Sequence, residues 1–267
     1  MIKVNGVDLN TKYFPDGTLL LKQDFGVNIG DSVLIEWFFD KNEELVTLIF
    51  VTKHLRSLGI KDISLFLPYI PNARQDRVKN DEDVFTLKYF AETINWLDFS
   101  CVSVLDPHSS VSEALINNIF VTSPKEFVDE VLDEISDITD NQFMLFYPDE
   151  GAMKRYSGMI NKPYAFGIKD RDWYTGAIKG LEVSGSTDLI KNNNVLIVDD
   201  ICSRGGTFYH SAKKLKELGA NKVFLYITHC ENTIFDGEVL KGDLIEKVYT
   251  TDSILTNRHE KISVFNL

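Results

Sequence analysis

Short apolar runs alternate along the chain with amphipathic segments of helical period. Runs rich in β-branched and aromatic residues predict strands at 32–38, 63–68, 101–105, 144–147, 164–168, 195–198 and 223–228, with weaker ones at 247–250 and 262–265. The spacing of apolar residues predicts helices at 43–58, 85–96 and 207–218 and a further helix that begins at Ser123. Strands that alternate with helices are typical of α/β proteins with a mainly parallel sheet.

The alternation forms two series that meet near residues 120–124. At the junction, Ser123, Pro124 and Glu126 combine an N-cap residue, a proline at the first helical position and an acidic residue at the third. We therefore predict two α/β domains, at residues 1–122 and 123–267.

Composition excludes several classes of protein. The chain has 267 residues, of which 44% are hydrophobic, and its net charge of −12 opposes binding to nucleic acid or to an anionic membrane. It lacks an apolar run of the roughly 20 residues that span a bilayer and lacks a secretory signal, so we expect a cytoplasmic protein. The three cysteines have no metal-site spacing, which favours reduced thiols.

The polar residues after the apolar run at 195–198 carry the strongest chemical signal. Asp199 and Asp200 follow that run directly, and Gly205-Gly206-Thr207 opens the next helix. Ligands of open α/β sheets bind at the carboxyl ends of strands, and glycines at a helix N-terminus let backbone N–H groups approach an anion. We interpret the segment as a loop for a phosphorylated ribose. A strand-to-helix turn with capping aspartates is the alternative.

Two clusters of basic residues stand out against the acidic background. One contains Arg74, Arg77 and Lys79, and the other contains Lys169 and Arg171. Considered alone, each cluster is equally consistent with anion binding and with a solvated surface.

Motifs in a fixed order resemble those of the ribose-phosphate pyrophosphokinase family. Residues 199–207 resemble the phosphoribosyl pyrophosphate signature D-D-x-x-D-T-G-G-T, which phosphoribosyltransferases share. Residues 68–77 resemble P-Y-x-x-Y-A-R-Q-D-R, which is specific to the pyrophosphokinases. Six further segments also resemble motifs of this family, in the same order along the chain: residues 14–17, 106–108, 148–151, 169–171, 226–229 and 251–254.

This resemblance implies a fold and an activity. The fold would be two tandem type I phosphoribosyltransferase-like domains, with ATP bound on the first and the ribose-phosphate loop on the second. The activity would be an ATP-dependent diphosphotransferase that needs Mg2+, moves the β,γ-diphosphate of ATP to the anomeric hydroxyl of a 5-phosphorylated ribose and releases AMP. The resemblance also implies a homo-oligomer, at least a dimer, with a hexamer as the usual family assembly.

Carried over residue by residue, the resemblance assigns roles to individual side chains. It makes Lys169 and Arg171 catalytic and gives Mg2+ the ligands His108 and Asp149. The residues implied to bind ATP are Phe14, Asp16, Arg74, Gln75, Asp76, Arg77 and His108, with Phe14 and Asp16 reaching the site of a neighbouring subunit. The residues implied to bind the ribose and its phosphate are Asp199, Asp200, Ser203, Arg204, Gly205, Gly206 and Thr207.

The chain departs from the family pattern at the loop itself. Ser203-Arg204 replaces the usual Asp-Thr, and Arg adds a five-donor cation suited to bidentate phosphate binding. We therefore hypothesise that the acceptor is ADP-ribose, as in a phage branch of the family that rebuilds NAD, with ribose 5-phosphate as the alternative. Thr18 and Asp170 also replace family residues, Glu and Arg respectively.

Two further alternatives come from other functional classes. A non-catalytic regulatory relative would keep the fold, but the predicted ATP, metal and sugar ligands are all present together, which favours an enzyme. A plain phosphoribosyltransferase has no need of the segment at 73–77. For Trp173 and Tyr174 we favour packing over a role as a lid.

Overall fold

The structure, a computed structural model, describes residues 1–139, 143–171 and 178–267. Side chains at 138–139, 169–171 and 178–181 also lie outside the description. The chain divides into two compact units, Met1–Ser123 and Pro124–Leu267.

The first unit is built on a six-stranded sheet. Its elements are β1 (Ile2–Val4), β2 (Val7–Asp8), β3 (Thr11–Tyr13), β4 (Leu19–Leu21), β5 (Ser32–Trp37), α1 (Glu44–Ser57), β6 (Asp62–Phe66), α2 (Thr86–Trp96), β7 (Cys101–Leu105), α3 (Ser110–Leu115) and β8 (Ile119–Thr122). The sheet order is β2-β1-β5-β6-β7-β8, in which β5 to β8 run parallel and β1 is antiparallel to both neighbours. Strands β3 and β4 form a separate antiparallel hairpin.

The second unit is built on a seven-stranded sheet. Its elements are α4 (Lys125–Thr139), β9 (Phe143–Tyr147), α5 (Glu150–Tyr156), β10 (Tyr164–Arg171), β11 (Ile178–Gly185), β12 (Asn194–Cys202), α6 (Gly206–Glu217), β13 (Val223–Cys230), β14 (Lys247–Thr251) and β15 (Ile262–Phe265). The sheet order is β11-β10-β9-β12-β13-β14-β15, and β11 is antiparallel to its neighbour while the other pairings are parallel.

Strand β12 is buried on both faces of the second sheet. Leu196 and Val198 pack in one apolar cluster with Tyr156 of α5, whereas Val195 and Ile197 pack in another with Phe208 of α6. Successive side chains of a strand point to opposite faces, so helices cover both faces, as expected of a parallel sheet. Burial of β12 fixes the position of the residues that follow it.

These features confirm the predicted α/β class with mainly parallel sheets. Strands β7 and β15 have the predicted bounds, and α1, α2 and α6 lie within one residue of prediction at each end. The prediction that β12 ends at 198 is wrong, because the strand continues through both aspartates to Cys202. The helix expected from Ser123 begins at Lys125. Among the described residues, no helix has the length and apolar character needed to cross a bilayer.

Candidate functional site

The turn between β12 and α6 depends on a glycine. Gly205 has φ 74°, in the left-handed region, and a Cβ there would lie 2.4 Å from Cγ2 of Val239. A side chain at 205 would therefore meet both backbone strain and a steric clash. By contrast, Gly206 is exposed, and a Cβ there would meet nothing within 4 Å. The turn is therefore packed against Val239 at Gly205 and is open to solvent at Gly206.

A second glycine supports the same turn from the segment after β13. A Cβ on Gly237 would lie 1.8 Å from the carbonyl oxygen of Arg204, so the two backbones are in direct contact. The side chain of Arg204 is exposed, and Ser203 is half-buried. The backbone of the turn is fixed while the Arg204 guanidinium extends toward solvent.

The N-terminus of α6 faces this turn. Gly205 occupies the N-cap position and provides no capping side chain, and its carbonyl oxygen accepts a hydrogen bond from the N–H of Tyr209 at 2.9 Å. The first N–H groups of a helix lack intrahelical partners and carry a partial positive charge. With the half-buried Thr207 beside them, they can donate to a phosphate group.

The two predicted sugar ligands, Asp199 and Asp200, lie on opposite faces of β12. Asp200 is buried, and its Oδ1 lies 3.1 Å from Nη1 of Arg155 on α5. Asp199 is half-buried, and its Oδ1 accepts a hydrogen bond from the N–H of Asp200 at 2.9 Å. Burial, with the negative charges of Asp200 and Asp149, raises the pKa of Asp199 well above its usual range. The strand tip therefore concentrates negative charge, which Arg155 partly offsets.

Asp149 begins α5 at the end of the neighbouring strand β9. Its Oδ1 accepts a hydrogen bond from the N–H of Ala152 at 3.1 Å and caps the helix. The predicted metal ligand thus also has a structural role. Its carboxylate influences Asp199 electrostatically, so the two belong to the same end of the sheet.

The end of β13 is fixed by a buried polar network. Nδ1 of His229 lies 2.8 Å from Oγ of Ser253, and the hydroxyl of Thr251 donates to the carbonyl oxygen of Thr228 at 2.6 Å. All four residues are buried. The segments at 226–229 and 251–254 therefore meet in space and support the strand tip beside the loop.

In the first unit, the segment at 68–77 follows β6 and is tied to the end of β7. The N–H of Leu105 donates to the carbonyl oxygen of Pro68 at 3.1 Å. Gln75 accepts a hydrogen bond from the Thr86 hydroxyl at 2.7 Å, which fixes its side chain against the start of α2. The predicted ATP-binding segment is therefore anchored at both ends.

Asp76 and Arg77 form a bidentate ion pair. Nε and Nη2 of Arg77 lie 2.7 Å and 3.0 Å from the two carboxylate oxygens of Asp76. These hydrogen bonds, with the nearby charge of His108, hold the pKa of Asp76 below its usual range. Asp76 is buried, whereas the side chains of Arg74 and Arg77 are exposed. Asp76 thus orients a cation, and the arginines present charge to solvent.

The turn after β7 carries His108. Asp106 is buried at φ 41°, a left-handed conformation that is rare for residues other than glycine, and its N–H donates to the carbonyl oxygen of Thr122 at 3.0 Å. His108 follows in a half-buried position. Such strain is often found at functional sites.

Phe14 and Asp16 lie in the turn of the β3–β4 hairpin. The Phe14 side chain is exposed, and Gly17 at φ 83° closes the turn. Asp16 accepts hydrogen bonds from both the N–H and the hydroxyl of Thr18, which lower its pKa. Thr18 therefore fixes the Asp16 carboxylate within its own turn.

A cavity of about 320 Å3 in the first unit lies beside residues 68–77, the predicted ATP-binding segment. Its walls include the aromatic residues Trp37, Phe39, Tyr89 and Phe90, together with Pro71 and Asn72. The residues predicted to bind ATP do not line it, so it is separate from the predicted ATP contacts.

Several predicted residues cannot be placed against the others. The backbone of Lys169 and Arg171 ends β10, but their side chains lie outside the described residues, as do Trp173 and Tyr174. The predicted metal ligands His108 and Asp149 belong to different units. Within the described residues, no group of three or more His, Cys, Asp or Glu side chains is arranged to hold a metal ion.

Comparison with known proteins identifies the relatives of this chain. No family model matches it. The ribose-phosphate pyrophosphokinase of Saccharolobus solfataricus is 26% identical over 263 residues, which cover 97% of this chain and 88% of that protein. The ribose-phosphate pyrophosphokinases of Thermosipho africanus and Mycoplasmopsis pulmonis are each 27% identical to this chain. The match to the first covers 97% of this chain and 83% of that protein, and the match to the second covers 100% of this chain and 84% of that protein.

Over nearly its whole length, this chain is similar to ribose-phosphate pyrophosphokinases.

A solved structure of the family shows the same fold. The crystal structure of phosphoribosylpyrophosphate synthetase from Mycobacterium smegmatis matches this chain with a TM-score of 0.80 at 20% identity. The match covers 97% of this chain and 86% of that one. The predicted type I phosphoribosyltransferase-like fold is thereby confirmed.

Sequence reasoning missed two features of the site. Arg155 pairs with Asp200, and Gly237 and Val239 support the turn at 203–205. The alternation of β12 indicates that Asp199 and Asp200 lie on opposite faces, but the sequence does not indicate that α5 covers the face of Asp200. The contact of Gly237 with the Arg204 carbonyl has no local signal.

Proposed function

We propose that this protein transfers the β,γ-diphosphate of ATP to the 1-hydroxyl of ribose 5-phosphate and releases AMP. The observation that carries the proposal is the β12–α6 turn, where two carboxylates precede a glycine-dependent loop at an uncapped helix N-terminus. Carboxylates suit the vicinal hydroxyls of a ribose, and helix N–H groups suit its 5-phosphate. The relatives that cover nearly the whole chain are named ribose-phosphate pyrophosphokinases, which supports this acceptor.

ADP-ribose, the acceptor that the loop substitution favoured, has less support. None of the relatives described above is named for it, and the argument rests on Ser203 and Arg204 alone. Arg204 keeps it as the second candidate, because its exposed guanidinium could also reach a group beyond the 5-phosphate. An assay with each acceptor in turn separates the two.

In this proposal ATP is bound by the first unit. Arg74 and Arg77 are exposed cations that suit its phosphates, and Asp76 holds the Arg77 guanidinium in a fixed orientation. Gln75 is fixed by Thr86 and offers an amide for the nucleotide. Each of these assignments follows the family resemblance of residues 68–77.

Mg2+ is proposed as the cofactor. This cation commonly binds through one or two carboxylates and completes its shell with phosphate oxygens and water. Asp149 offers the oxygen donor that Mg2+ prefers, and His108 offers a nitrogen, which suits this hard cation less well. When bound, Mg2+ would neutralise charge on the transferred phosphates.

The chemistry requires positioning more than covalent help. An oxygen–phosphorus bond forms between the anomeric hydroxyl and the β-phosphorus, the bond to the α,β-bridging oxygen breaks, and the hydroxyl proton is lost to solvent. Asp199 would orient the ribose, and the α6 N-terminus would fix its phosphate. Lys169 and Arg171 remain the proposed cations for the charge that develops in transfer.

We also propose a homo-oligomer. The β3–β4 hairpin exposes the aromatic side chains of Tyr13 and Phe14, which are 54% and 49% accessible. Exposed aromatic residues on a hairpin suit a contact with a second copy, in line with the role that the resemblance gives Phe14 and Asp16. Light scattering of the purified protein tests this, and a monomer would contradict it.

The activity is tested by incubating the protein with ATP and Mg2+ and either ribose 5-phosphate or ADP-ribose, and measuring AMP. We expect AMP formation that depends on ribose 5-phosphate, with only background without an acceptor. The Asp199→Asn variant is the matched control and should lose acceptor-dependent AMP. If ADP-ribose supports AMP formation and ribose 5-phosphate does not, the acceptor is ADP-ribose. If neither acceptor supports AMP formation, the proposal is contradicted.

A further inference from the structure

We propose that Arg155 is a positioning residue for the acceptor sugar, acting through Asp200, and that Asp199 is the carboxylate that contacts the sugar. The inference rests on the proposed function and assigns separate roles to the two adjacent aspartates. It follows from which face of β12 each aspartate occupies and from what each one contacts.

The two aspartates lie within a strand, so they face opposite sides of the sheet. Leu196, Val198 and Asp200 share one face, and the first two pack in the apolar cluster that contains Tyr156 of α5. Val195 and Ile197 share the other face with Asp199 and pack in the cluster that contains α6. Asp199 is therefore on the side of the sheet where the turn and the N-terminus of α6 lie.

Asp200 is not free to leave its position. Its side chain is only 4% exposed, and its Oδ1 lies 3.1 Å from Nη1 of Arg155, whose own side chain is 25% exposed. A carboxylate buried to this extent stays ionised only when a cation or hydrogen-bond donors compensate it. Arg155 supplies that compensation from α5.

Arg155 is itself held in place by aromatic side chains. Its guanidinium carbon lies 5.3 Å from the ring centroid of Tyr156, and its Nη1 lies 3.4 Å from the Tyr156 hydroxyl oxygen. The Tyr156 ring stacks on Tyr147 of β9, with centroids 6.3 Å apart, and both tyrosines are fully buried. The cation is therefore fixed to the core of the unit rather than to its surface.

This arrangement connects α5 to the sugar-binding end of β12. Arg155 fixes Asp200, and the N–H of Asp200 donates to Oδ1 of Asp199 at 2.9 Å. One oxygen of Asp199 is thus oriented by the backbone, and its half-buried carboxylate faces the ligand side. Loss of Arg155 should disturb Asp199 without touching the residues proposed for ATP.

The test compares Arg155→Gln, which removes the positive charge, with Arg155→Lys, which keeps the charge but loses the planar guanidinium group. Lys154→Gln is the matched control, because Lys154 is the neighbouring cation on α5, is exposed and pairs with Glu150 at the surface. KM for ribose 5-phosphate, KM for ATP and kcat are measured for each, with circular dichroism to verify folding. An Arg155→Gln/Asp200→Asn double variant removes both charges, in case the single change leaves Asp200 uncompensated and prevents folding.

We expect Arg155→Gln to raise KM for ribose 5-phosphate by about tenfold or more, because a hydrogen bond to a charged group is lost, and to leave KM for ATP within about twofold. Arg155→Lys should recover part of the loss, and Lys154→Gln should behave as wild type. An unchanged sugar KM in every Arg155 variant that folds overturns the inference. Failure of the proposed function is seen separately, as an inactive wild type; the same variants are then compared by calorimetric binding of ribose 5-phosphate.

Discussion

Gly205 and Val239 are packed so closely that a Cβ on Gly205 would lie 2.4 Å from Cγ2 of Val239. Because Gly205 also has φ 74°, Gly205→Ala should lower the free energy of unfolding by about 2–4 kcal/mol, the sum of left-handed strain and overpacking. Chemical denaturation measures this loss. Sugar binding should weaken as well, since the turn must shift.

Two controls separate strain from clash at this position. Gly206→Ala should leave stability near wild type, because a Cβ there meets nothing within 4 Å. Adding Val239→Ala to Gly205→Ala should recover stability relative to the sum of the single changes. Strict additivity of the two changes would show that the packing against Val239 is not what requires glycine.

Gly237 should prove as important to acceptor binding as the loop itself. A Cβ there would lie 1.8 Å from the Arg204 carbonyl oxygen, so Gly237→Ala must displace the backbone of the turn. We expect KM for the sugar to rise at least severalfold while KM for ATP changes little, with overpacking costing about 1–3 kcal/mol of stability. Gly242→Ala is the control, because its Cβ has open space. Equal behaviour of the two variants would refute this role.

Arg204 is predicted to contribute directly to phosphate binding. Arg204→Thr introduces the residue usual in the family at this position and should raise KM for ribose 5-phosphate by roughly tenfold, because the charge-assisted hydrogen bonds from Arg204 to the phosphate are lost. Lys213→Gln changes an exposed cation further along α6 and should have no such effect. A lower KM in Arg204→Thr would mean that Arg204 serves a different acceptor.

The Asp199 carboxylate should lower the stability of the fold at neutral pH although activity requires it. Its pKa is raised by burial and by the charges of Asp200 and Asp149, so the folded state binds more protons than the unfolded state above the usual aspartate pKa of about 3.9. The free energy of unfolding therefore falls as pH rises from the usual aspartate pKa to the raised pKa of the folded state. Asp199→Asn should unfold at a higher temperature than wild type at pH 7.5 but lose activity, and the stability difference should shrink near pH 4. A less stable Asp199→Asn protein at pH 7.5 would contradict this.

Much of the fold could be predicted because its helices and central strands bury regular apolar faces. Strand β7 and helix α2 are examples, with buried residues at the expected spacing. Strands β2 and β3 were missed because they are two and three residues long and exposed, so they carry no alternation of burial. Helix α5 was missed because its seven residues are too few to show a clear period.

The site was predictable as a set of residues but not as an arrangement. Asp199, Asp200 and the glycines were found from their position after an apolar run that predicts a strand, which local sequence reveals. The pairing of Arg155 with Asp200 depends on how α5 packs on β12, and the support of Gly205 by Val239 joins positions 34 residues apart. Tertiary contacts of this kind have no periodic signature.

The central claim, transfer of a diphosphate as one unit to ribose 5-phosphate, is tested most directly by 31P NMR of the products formed from ATP, Mg2+ and ribose 5-phosphate. The account predicts AMP together with a diphosphate attached at C1 of the sugar, and no such product with the Asp199→Asn variant. ADP with a single phosphate attached at C1 of the sugar, or no acceptor-dependent product at all, would contradict it.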